Sequence, residues 1–170
     1  MLSDKMVKSL NHQINRELYS GYLYLGMASY SKNAGLSGVA NWFAVQSQEE
    51  ASHAMKFYEY VNDQGGRVVL EAIEEPPQDY SSALDMFDKT LEHEKKVTAM
   101  INELVALARS EKDTATEIML QWFVKEQVEE EANASDMIQK LKLAGDGSGL
   151  FMIDNELGQR VFTPPVAEKE

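Results

Sequence analysis

The sequence predicts an all-α protein: a long antiparallel four-helix bundle with one long crossover, between its second and third helices, and a short C-terminal fifth helix. Apolar residues recur at alternating steps of three and four along four segments of about 28–31 residues, far above the mean helix length of about 11–12. Turn residues separate these segments, and only one connection is long. No repeat or low-complexity block divides the 170 residues, so we expect a single domain.

The first two helices are predicted to form a hairpin. Ser3 or Asp4 can cap the first helix, which should end near Asn33, where an Asn-Ala-Gly sequence supplies a stop. Ser37 can cap the second helix, which should end near the Gly65-Gly66 pair. Because the turn between these helices is short, we expect them to pack antiparallel.

Residues 66–80 are predicted to form the crossover. The Pro76-Pro77 pair excludes a helix there. About 15 extended residues reach roughly 50 Å, which is enough to cross a bundle whose helices are about 40–45 Å long.

The third and fourth helices should form a second hairpin. Ser81 or Ser82 can cap the third helix, which is predicted to run to about Arg109. A tight turn over residues 110–113 leads into the fourth helix, which should end at the glycine-containing residues 145–147.

The C-terminal part is predicted to contain a fifth helix over about residues 149–159 and a polar tail over about 161–170, with the bundle itself spanning about 4–144. The apolar residues of the fifth helix belong to a segment too short to be stable alone. We expect this segment to dock either on its own bundle or on neighbouring subunits.

The composition excludes several classes of protein. With 16 Lys and Arg against 28 Asp and Glu, the formal charge is −12 at pH 7, so nucleic acid is a poor partner. A negative charge of this size suits a protein that binds metal cations, or it simply keeps the protein soluble. The absence of cysteine excludes disulfides, thiolate metal sites and cysteine nucleophiles. No stretch approaches the ~20 apolar residues that span a membrane, and the first residues lack the apolar run of a signal peptide. We therefore expect a cytoplasmic protein without membrane partners.

Each long helix has an inward-facing stripe that is apolar at both ends and carries one glutamate near its middle. In the first helix the stripe consists of Leu10, Ile14, Glu17, Gly21, Tyr24 and Ala28, at alternating steps of four and three. The stripes of the other three helices are, in order, Val39, Phe43, Gln46, Glu50, His53 and Phe57; Phe87, Leu91, Glu94, Val97, Ile101 and Leu104; and Leu120, Phe123, Gln127, Glu130, Ala134, Met137 and Leu141. The four central glutamates are Glu17, Glu50, Glu94 and Glu130. Because a helix midpoint lies at the same level whether the helix runs up or down, these carboxylates should meet at one depth inside the bundle.

Four buried carboxylates at one level predict a metal site. Burying even one unpaired carboxylate costs several kcal/mol, and four would repel one another. No Lys or Arg occupies the central stripe positions, so metal cations are the remaining source of positive charge.

Of the three histidines, only His53 lies where it can bind the predicted metal, and its presence indicates which metal ions suit the site. His53 lies three residues after Glu50 on the same helix face, so both side chains can bind one metal. Oxygen ligands with one imidazole favour iron or manganese over structural zinc, and two metals bridged by Glu50 would account for the number of ligands. His12 and His93 lie off the stripes and are predicted to be surface residues.

Other polar residues near this level are open to more than one interpretation. Tyr24 lies seven residues after Glu17 on the same face; its hydroxyl either hydrogen-bonds a metal ligand, donates an electron, or belongs to a core tyrosine. Glu49, Glu126 and Glu129 flank the core glutamates and form either a solvated helix face or a third, more exposed cation site.

Nearly the whole chain resembles the prokaryotic non-haem ferritins. The segments QINRELYSGYLYL, QSQEEASHAMKFYEYVNDQGGR and EQVEEE carry this resemblance, together with the Glu-x-x-His pattern of di-iron bundles. The resemblance implies that Glu17, Glu50 and His53 hold one iron and that Glu50, Glu94 and Glu130 hold the second. It also places Gln127 near the second iron, Tyr24 beside the centre, and a third site at Glu49, Glu126 and Glu129.

Haem is not expected. The bacterioferritin branch ligates haem with a methionine directly after the second-helix glutamate, where this chain has Ala51. That branch also has a second Glu-x-x-His, whereas Asn133 stands three residues after Glu130 here.

The resemblance implies an iron-storage protein with ferroxidase activity. Two Fe(II) ions would bind each centre, with a third nearby if the acidic site is occupied, and oxygen or peroxide would accept the electrons. The ferric mineral would be stored in a hollow shell of twenty-four subunits, with the fifth helix gathered around a four-fold axis. Two alternatives stay open: a di-iron oxidase or peroxidase acting on another substrate, and a metal-free helical interaction module.

Overall fold

Five helices make up most of the structure, a computed structural model that describes residues 2–145 and 147–164. They are α1 (Asp4–Asn33), α2 (Ser37–Asp63), α3 (Ala83–Glu111), α4 (Thr114–Ala144) and α5 (Ser148–Leu157). The predicted fold class is confirmed: a four-helix bundle with one long crossover and a short fifth helix. Asp146, in the predicted stop after α4, and residues 165–170, most of the predicted polar tail, lie outside the described residues.

Side-chain caps start three of the four long helices, two of them at residues that the sequence predicts. Ser3 accepts a hydrogen bond from the Met6 amide, and Ser82 accepts one from the Asp85 amide. Asp113 caps α4 in the same way. The left-handed conformation of Lys112, with φ 57°, ends α3 after Glu111, slightly beyond its predicted end near Arg109.

The predicted cap of α2 is wrong. Ser37 is the first residue inside α2, and the N-cap residue Leu36 offers no side-chain hydrogen bond. The missing acceptor comes from α5 instead, because Asp154 Oδ1 accepts from the Val39 amide at 2.9 Å. The first turn of α2 is therefore capped by a residue more than one hundred positions away.

The apolar core is divided into two clusters, one on each side of the glutamate level. One cluster includes Tyr24, Phe43 and Phe87, and the other includes Phe57 and Phe123. All predicted inward-stripe residues are buried except Leu91, which is half-buried. Since α2 and α3 both run from the first cluster to the second, they are parallel, and the crossover spans the length of the bundle.

The crossover is irregular and lies along α1. Asn11 Nδ2 donates to the Arg67 carbonyl at 2.9 Å, and Asn11 Oδ1 accepts from the Val69 amide at 2.9 Å. Asn15 Nδ2 donates to the Ala72 carbonyl at 3.0 Å. Several large apolar side chains on this side of the molecule are exposed: Tyr22, Leu25, Val69, Leu70 and Ile73.

The fifth helix docks on its own bundle along one side. Ile153 and Leu157 are buried in the first core cluster, whereas Phe151 and Met152 are 66% and 72% exposed. The segment thus packs against its own subunit, although the resemblance favoured contacts with neighbouring subunits, and it still presents an apolar surface. No helix within residues 2–145 or 147–164 combines the length and hydrophobicity that a bilayer crossing requires.

Candidate metal centre

The four predicted glutamates lie buried at one level, between the two apolar clusters. Glu17, Glu50, Glu94 and Glu130 are 1%, 2%, 1% and 7% exposed. Each comes from a different long helix, near its midpoint. The helical period therefore brings four carboxylates together from positions far apart in the chain.

Glu17, Glu50 and His53 already form a compact group. One ligand atom from each of these side chains lies within 4.8 Å of the other two, and no other trio of ligating side chains in the described part of the chain converges as closely. His53 Nδ1 is 3.5 Å from Glu50 Oε2. The imidazole ring packs edge-on against Trp122, with centroids 5.3 Å apart, which holds its orientation.

Close contact between α1 and α2 supports this group. Ser47 Oγ donates to the Gly21 carbonyl at 2.7 Å. A Cβ at Gly21 would lie 3.2 Å from the Ser47 carbonyl oxygen and 3.5 Å from Glu50 Cβ, so glycine allows the two helices to approach one helical turn beyond Glu17.

A glutamine amide stands between two of the remaining carboxylates. Gln46 Nε2 donates to Glu130 Oε2 at 2.7 Å and to Glu50 Oε1 at 3.2 Å. Gln46 is fully buried, and its Oε1 has no hydrogen-bond partner. The sequence placed Gln46 on the inward stripe but gave it no role; its position one turn before Glu50 was the available signal.

Glu94 is held by two donors that the sequence placed near the site. The Tyr24 hydroxyl donates to Glu94 Oε1. Gln127 Nε2 donates to Glu94 Oε2 at 3.1 Å and to the Glu94 carbonyl at 3.2 Å. Hydrogen bonds thus hold Glu94 and, through the Gln46 amide, Glu130, both of which lie outside the compact Glu17, Glu50 and His53 group.

The centre holds protons unusually tightly. Burial, with the repulsion of Glu50, raises the pKa of Glu17 to about 8, and burial, with the repulsion of Glu94, raises the pKa of Glu130 to about 7. Burial also raises the pKa of Glu50 and Glu94, and the pKa of Tyr24 for the same reason. The protein itself therefore supplies too little positive charge near these carboxyl groups to keep them ionised.

The surface position predicted for His93 is wrong. Its side chain is half-buried, with Nε2 2.7 Å from Ser20 Oγ and its ring edge-on to Tyr24 at 6.0 Å. Burial lowers the pKa of His93 to about 4. It lies off the inward stripe, but the bulky aromatic residues of α1 cover it. His12 is exposed as predicted.

The three acidic residues predicted to form a further site are not gathered into a compact group. Glu49 and Glu126 are partly exposed and Glu129 is exposed. Burial raises the pKa of Glu126, and the nearby carboxylates of Glu129 and Glu49 raise it further. Glu49 itself is paired with Arg160, which the sequence gave no reason to expect.

The donor set fits hard metal cations. Carboxylate oxygens with a single imidazole suit iron in either oxidation state, and cations would offset the repulsion that raises the carboxyl pKa values. Gln46 Oε1 is a further buried acceptor that lacks a donor.

Known proteins resemble this chain over nearly its whole length. The family model described as the ferritin-like domain matches residues 7–144. The bacterial non-heme ferritin of Bacteroides fragilis (strain 638R) is 42% identical over 160 residues, which cover 94% of this chain and 100% of that protein. An engineered closed form of the Archaeoglobus fulgidus ferritin superposes with a TM-score of 0.95 at 54% identity, covering 96% of this chain and 100% of the other. The open-pore ferritin of the same archaeon gives a TM-score of 0.93 at 53% identity, covering 94% and 98%.

Proposed function

Because the chain belongs to the ferritins, a family of iron-storage proteins, we propose that it oxidises Fe(II) at the buried glutamate centre before storing the product as ferric mineral. The observation that carries the proposal is the compact group of Glu17, Glu50 and His53, at one level with Glu94 and Glu130. A ligand set of this kind, buried between apolar layers, has no evident use without cations.

The proposed ligands divide between two Fe(II) substrate ions. Glu17, Glu50 and His53 hold one iron. Glu50, Glu94 and Glu130 hold the other, with Glu50 bridging the two. When iron binds, the neutral carboxyl groups give up their protons, and the metal competes with the Gln46 amide for oxygens of Glu50 and Glu130.

The remaining residues orient the second group of ligands. Tyr24 and Gln127 each donate to one oxygen of Glu94, which leaves that carboxylate little rotational freedom. The overall reaction is balanced by an external oxidant: two Fe(II) ions lose one electron each, and dioxygen takes both electrons with two protons to form hydrogen peroxide. With peroxide as oxidant, the same electrons and protons yield water.

We assign Glu49, Glu126 and Glu129 to an accessory cation site that delivers or drains iron. Its support is the proximity of three partly or fully exposed carboxylates to the buried centre, with Glu49 and Glu129 adjacent in sequence to ligands of that centre. Replacing all three by Ala should leave the first oxidation turnover intact and change the stoichiometry or later turnovers. Loss of the first turnover would show that the sites are divided wrongly.

We further propose that the subunits assemble into a closed shell of twenty-four. The exposed apolar side chains of α1 and the crossover, and Phe151 and Met152 on α5, are surfaces that association would bury.

The experiment that tests the proposed function measures particle size and Fe(II) oxidation in air on the same sample. A large shell that oxidises Fe(II) and retains the ferric product is expected. A small particle with oxidase activity toward another substrate would favour the di-iron oxidase alternative. A protein whose stability does not respond to Fe(II) would favour the metal-free module.

A further inference from the structure

Arg160, three residues beyond the end of α5, is held against α2 by both its side chain and its backbone. Its guanidinium donates to the Glu49 carboxylate and lies over the Trp42 ring, with Cζ 4.5 Å from the ring centroid. Nη1 also donates to the Trp42 carbonyl at 3.4 Å. Asn41 Nδ2 donates to the carbonyls of Leu157 and Arg160 at 3.1 and 2.9 Å. These two hydrogen bonds anchor the backbone segment that carries the Arg160 side chain.

This contact is unusual among the acidic residues assigned to iron. Within residues 2–145 and 147–164, no other Lys or Arg forms an ion pair with a carboxylate of the buried centre or of the accessory site. Among the described residues, Glu49 is thus the one proposed ligand that is ion-paired with a Lys or Arg.

We propose that Arg160 is the resident counter-ion of the accessory site, and that a cation binding to Glu49 displaces its guanidinium. Arg160 thereby sets the affinity of that site: an incoming ion must break an existing charge-assisted hydrogen bond, so it binds more weakly than Glu49, Glu126 and Glu129 alone would allow. The inference rests on the accessory site proposed above.

The arrangement makes displacement feasible without unfolding. The Arg160 side chain is 22% exposed, so its charged end can turn into water, and the Asn41 contacts to the backbone do not depend on it. A divalent or trivalent ion can bind several carboxylates at once, whereas the guanidinium carries a single charge. Competition with Arg160 therefore lowers the affinity of the site most for monovalent ions. Multivalent ions still bind, but weakly enough to dissociate again.

Zn(II) titration of the full-length protein by calorimetry tests the inference, because Zn(II) probes carboxylate and imidazole sites without being oxidised. Arg160→Ala should tighten the weakest Zn(II) class about fivefold, the effect expected from removing one partly exposed competing ion pair. Arg109→Ala is the matched control, since Arg109 pairs with Glu117 away from both sites, and it should change nothing. If Arg160 only held the C-terminal segment in place, its replacement would weaken Zn(II) binding rather than tighten it.

Glu49→Gln separates failure of this inference from failure of the accessory site. The inference is supported if Arg160→Ala tightens Zn(II) binding and if this gain in affinity disappears in the Arg160→Ala, Glu49→Gln double variant. Unchanged Zn(II) affinity in Arg160→Ala, with weakened binding in Glu49→Gln, overturns the inference and leaves the accessory site standing. If Glu49→Gln alone changes no Zn(II) class, both are overturned. Should Arg160→Ala disturb the C-terminal segment, Arg160→Gln keeps part of the side chain while removing its charge, and it is expected to give the same tightening.

Discussion

At the scale of single residues, the buried centre is a set of carboxyl groups that hold protons, and a metal ion would have to compete with those protons to bind there. Glu17 and Glu130 keep their protons to a higher pH than an ordinary carboxyl, and neutral donors, the Gln46 amide and the Tyr24 hydroxyl, satisfy part of the acceptor capacity of their neighbours. The same burial that makes the metal-free site costly makes cations effective in it, because the surroundings screen their charge little.

The metal-free protein is expected to lose stability as the pH rises. Burial raises the folded-state pKa of Glu17 to about 8 and of Glu130 to about 7, above the ordinary value of 4.5. These groups keep protons in the folded state that the unfolded chain has released, so their stabilising contribution is complete below about pH 4.5 and declines toward about pH 8. Denaturant unfolding of metal-free protein at about pH 5 and about pH 8 should show a decrease on the order of a few kcal/mol.

Glu17→Gln supplies the control for this pH dependence. Glutamine does not ionise, so the variant should have a shallower decline in the free energy of unfolding over the same interval. A wild-type protein equally stable at both ends of the interval would contradict the assignment of buried, protonated carboxyl groups.

Tyr24→Phe should slow the first Fe(II) oxidation turnover severalfold while the fold is kept. The substitution removes the hydroxyl that orients Glu94, and losing a buried hydrogen bond should lower the free energy of unfolding by about 1–2 kcal/mol. Tyr22→Phe is the matched control on the same helix, because Tyr22 is 49% exposed. Stopped-flow oxidation at the wild-type rate in Tyr24→Phe would reduce Tyr24 to a packing residue.

At the scale of secondary-structure elements, the contact between α2 and α5 links the C-terminal segment to the helix that carries three of the proposed metal ligands. Gly38 makes that contact possible, because a Cβ there would lie 1.5 Å from the Asp154 carbonyl oxygen. Asp154 in turn caps α2 through the Val39 amide. The helix that carries Glu49, Glu50 and His53 therefore starts from a turn that α5 completes.

Gly38→Ala is expected to detach α5 while leaving the four long helices in place. The added methyl group cannot share space with a backbone carbonyl, so α5 has to move and the cap on α2 is lost. Limited proteolysis should then cut faster between α4 and α5, with nearly unchanged helical circular dichroism. Ser37→Ala, at the adjacent exposed position, should resemble wild type. Equal protection of α5 in Gly38→Ala would show that the close contact is not what holds it.

At the scale of the whole molecule, one subunit leaves apolar surface uncovered on two faces. Tyr22, Leu25 and Ile73 are exposed beside the crossover, and Phe151 and Met152 are exposed on α5. Exposed apolar groups of this extent are typical of surfaces that other chains cover. The proposed shell accounts for both faces.

Deleting residues 149–170 should weaken or alter the shell while the bundle stays helical and still binds metal. The deletion removes Phe151 and Met152 from the outer surface, together with the Ile153 and Leu157 contacts to the core. Light scattering after size-exclusion chromatography checks particle mass, and circular dichroism checks helicity. A truncated protein with full shell mass and stability would show that the segment is not needed for closure.

Most of what the sequence predicted correctly followed from the helical period of its apolar residues. What it missed were contacts between segments that are distant in the chain. Glu17, Glu50, Glu94 and Glu130 were identifiable because a carboxylate on an otherwise apolar stripe has few uses besides binding cations. Their roles as iron ligands stay predictions.

What the sequence did not provide depends on tertiary geometry. The α2 cap comes from Asp154, the partner of Glu49 is Arg160, and the cover over His93 comes from α1. None of these pairs is close in sequence, so neither periodicity nor local propensity could identify them. Gln46 was visible on the stripe, but the direction of its amide depends on two other helices.

The most direct test of the central claim is the rapid phase of Fe(II) oxidation in Glu50→Ala. Glu50 is the only residue assigned to both irons, and removing a buried carboxylate should keep or raise the stability of the metal-free fold. Glu59→Ala, at an exposed position on the same helix, is the control and should oxidise Fe(II) like wild type. The account predicts that the rapid phase, followed by stopped-flow absorbance in air, is abolished in a well-folded Glu50→Ala shell. Oxidation at the wild-type rate in that shell would contradict the assignment of the buried glutamates as the oxidising centre.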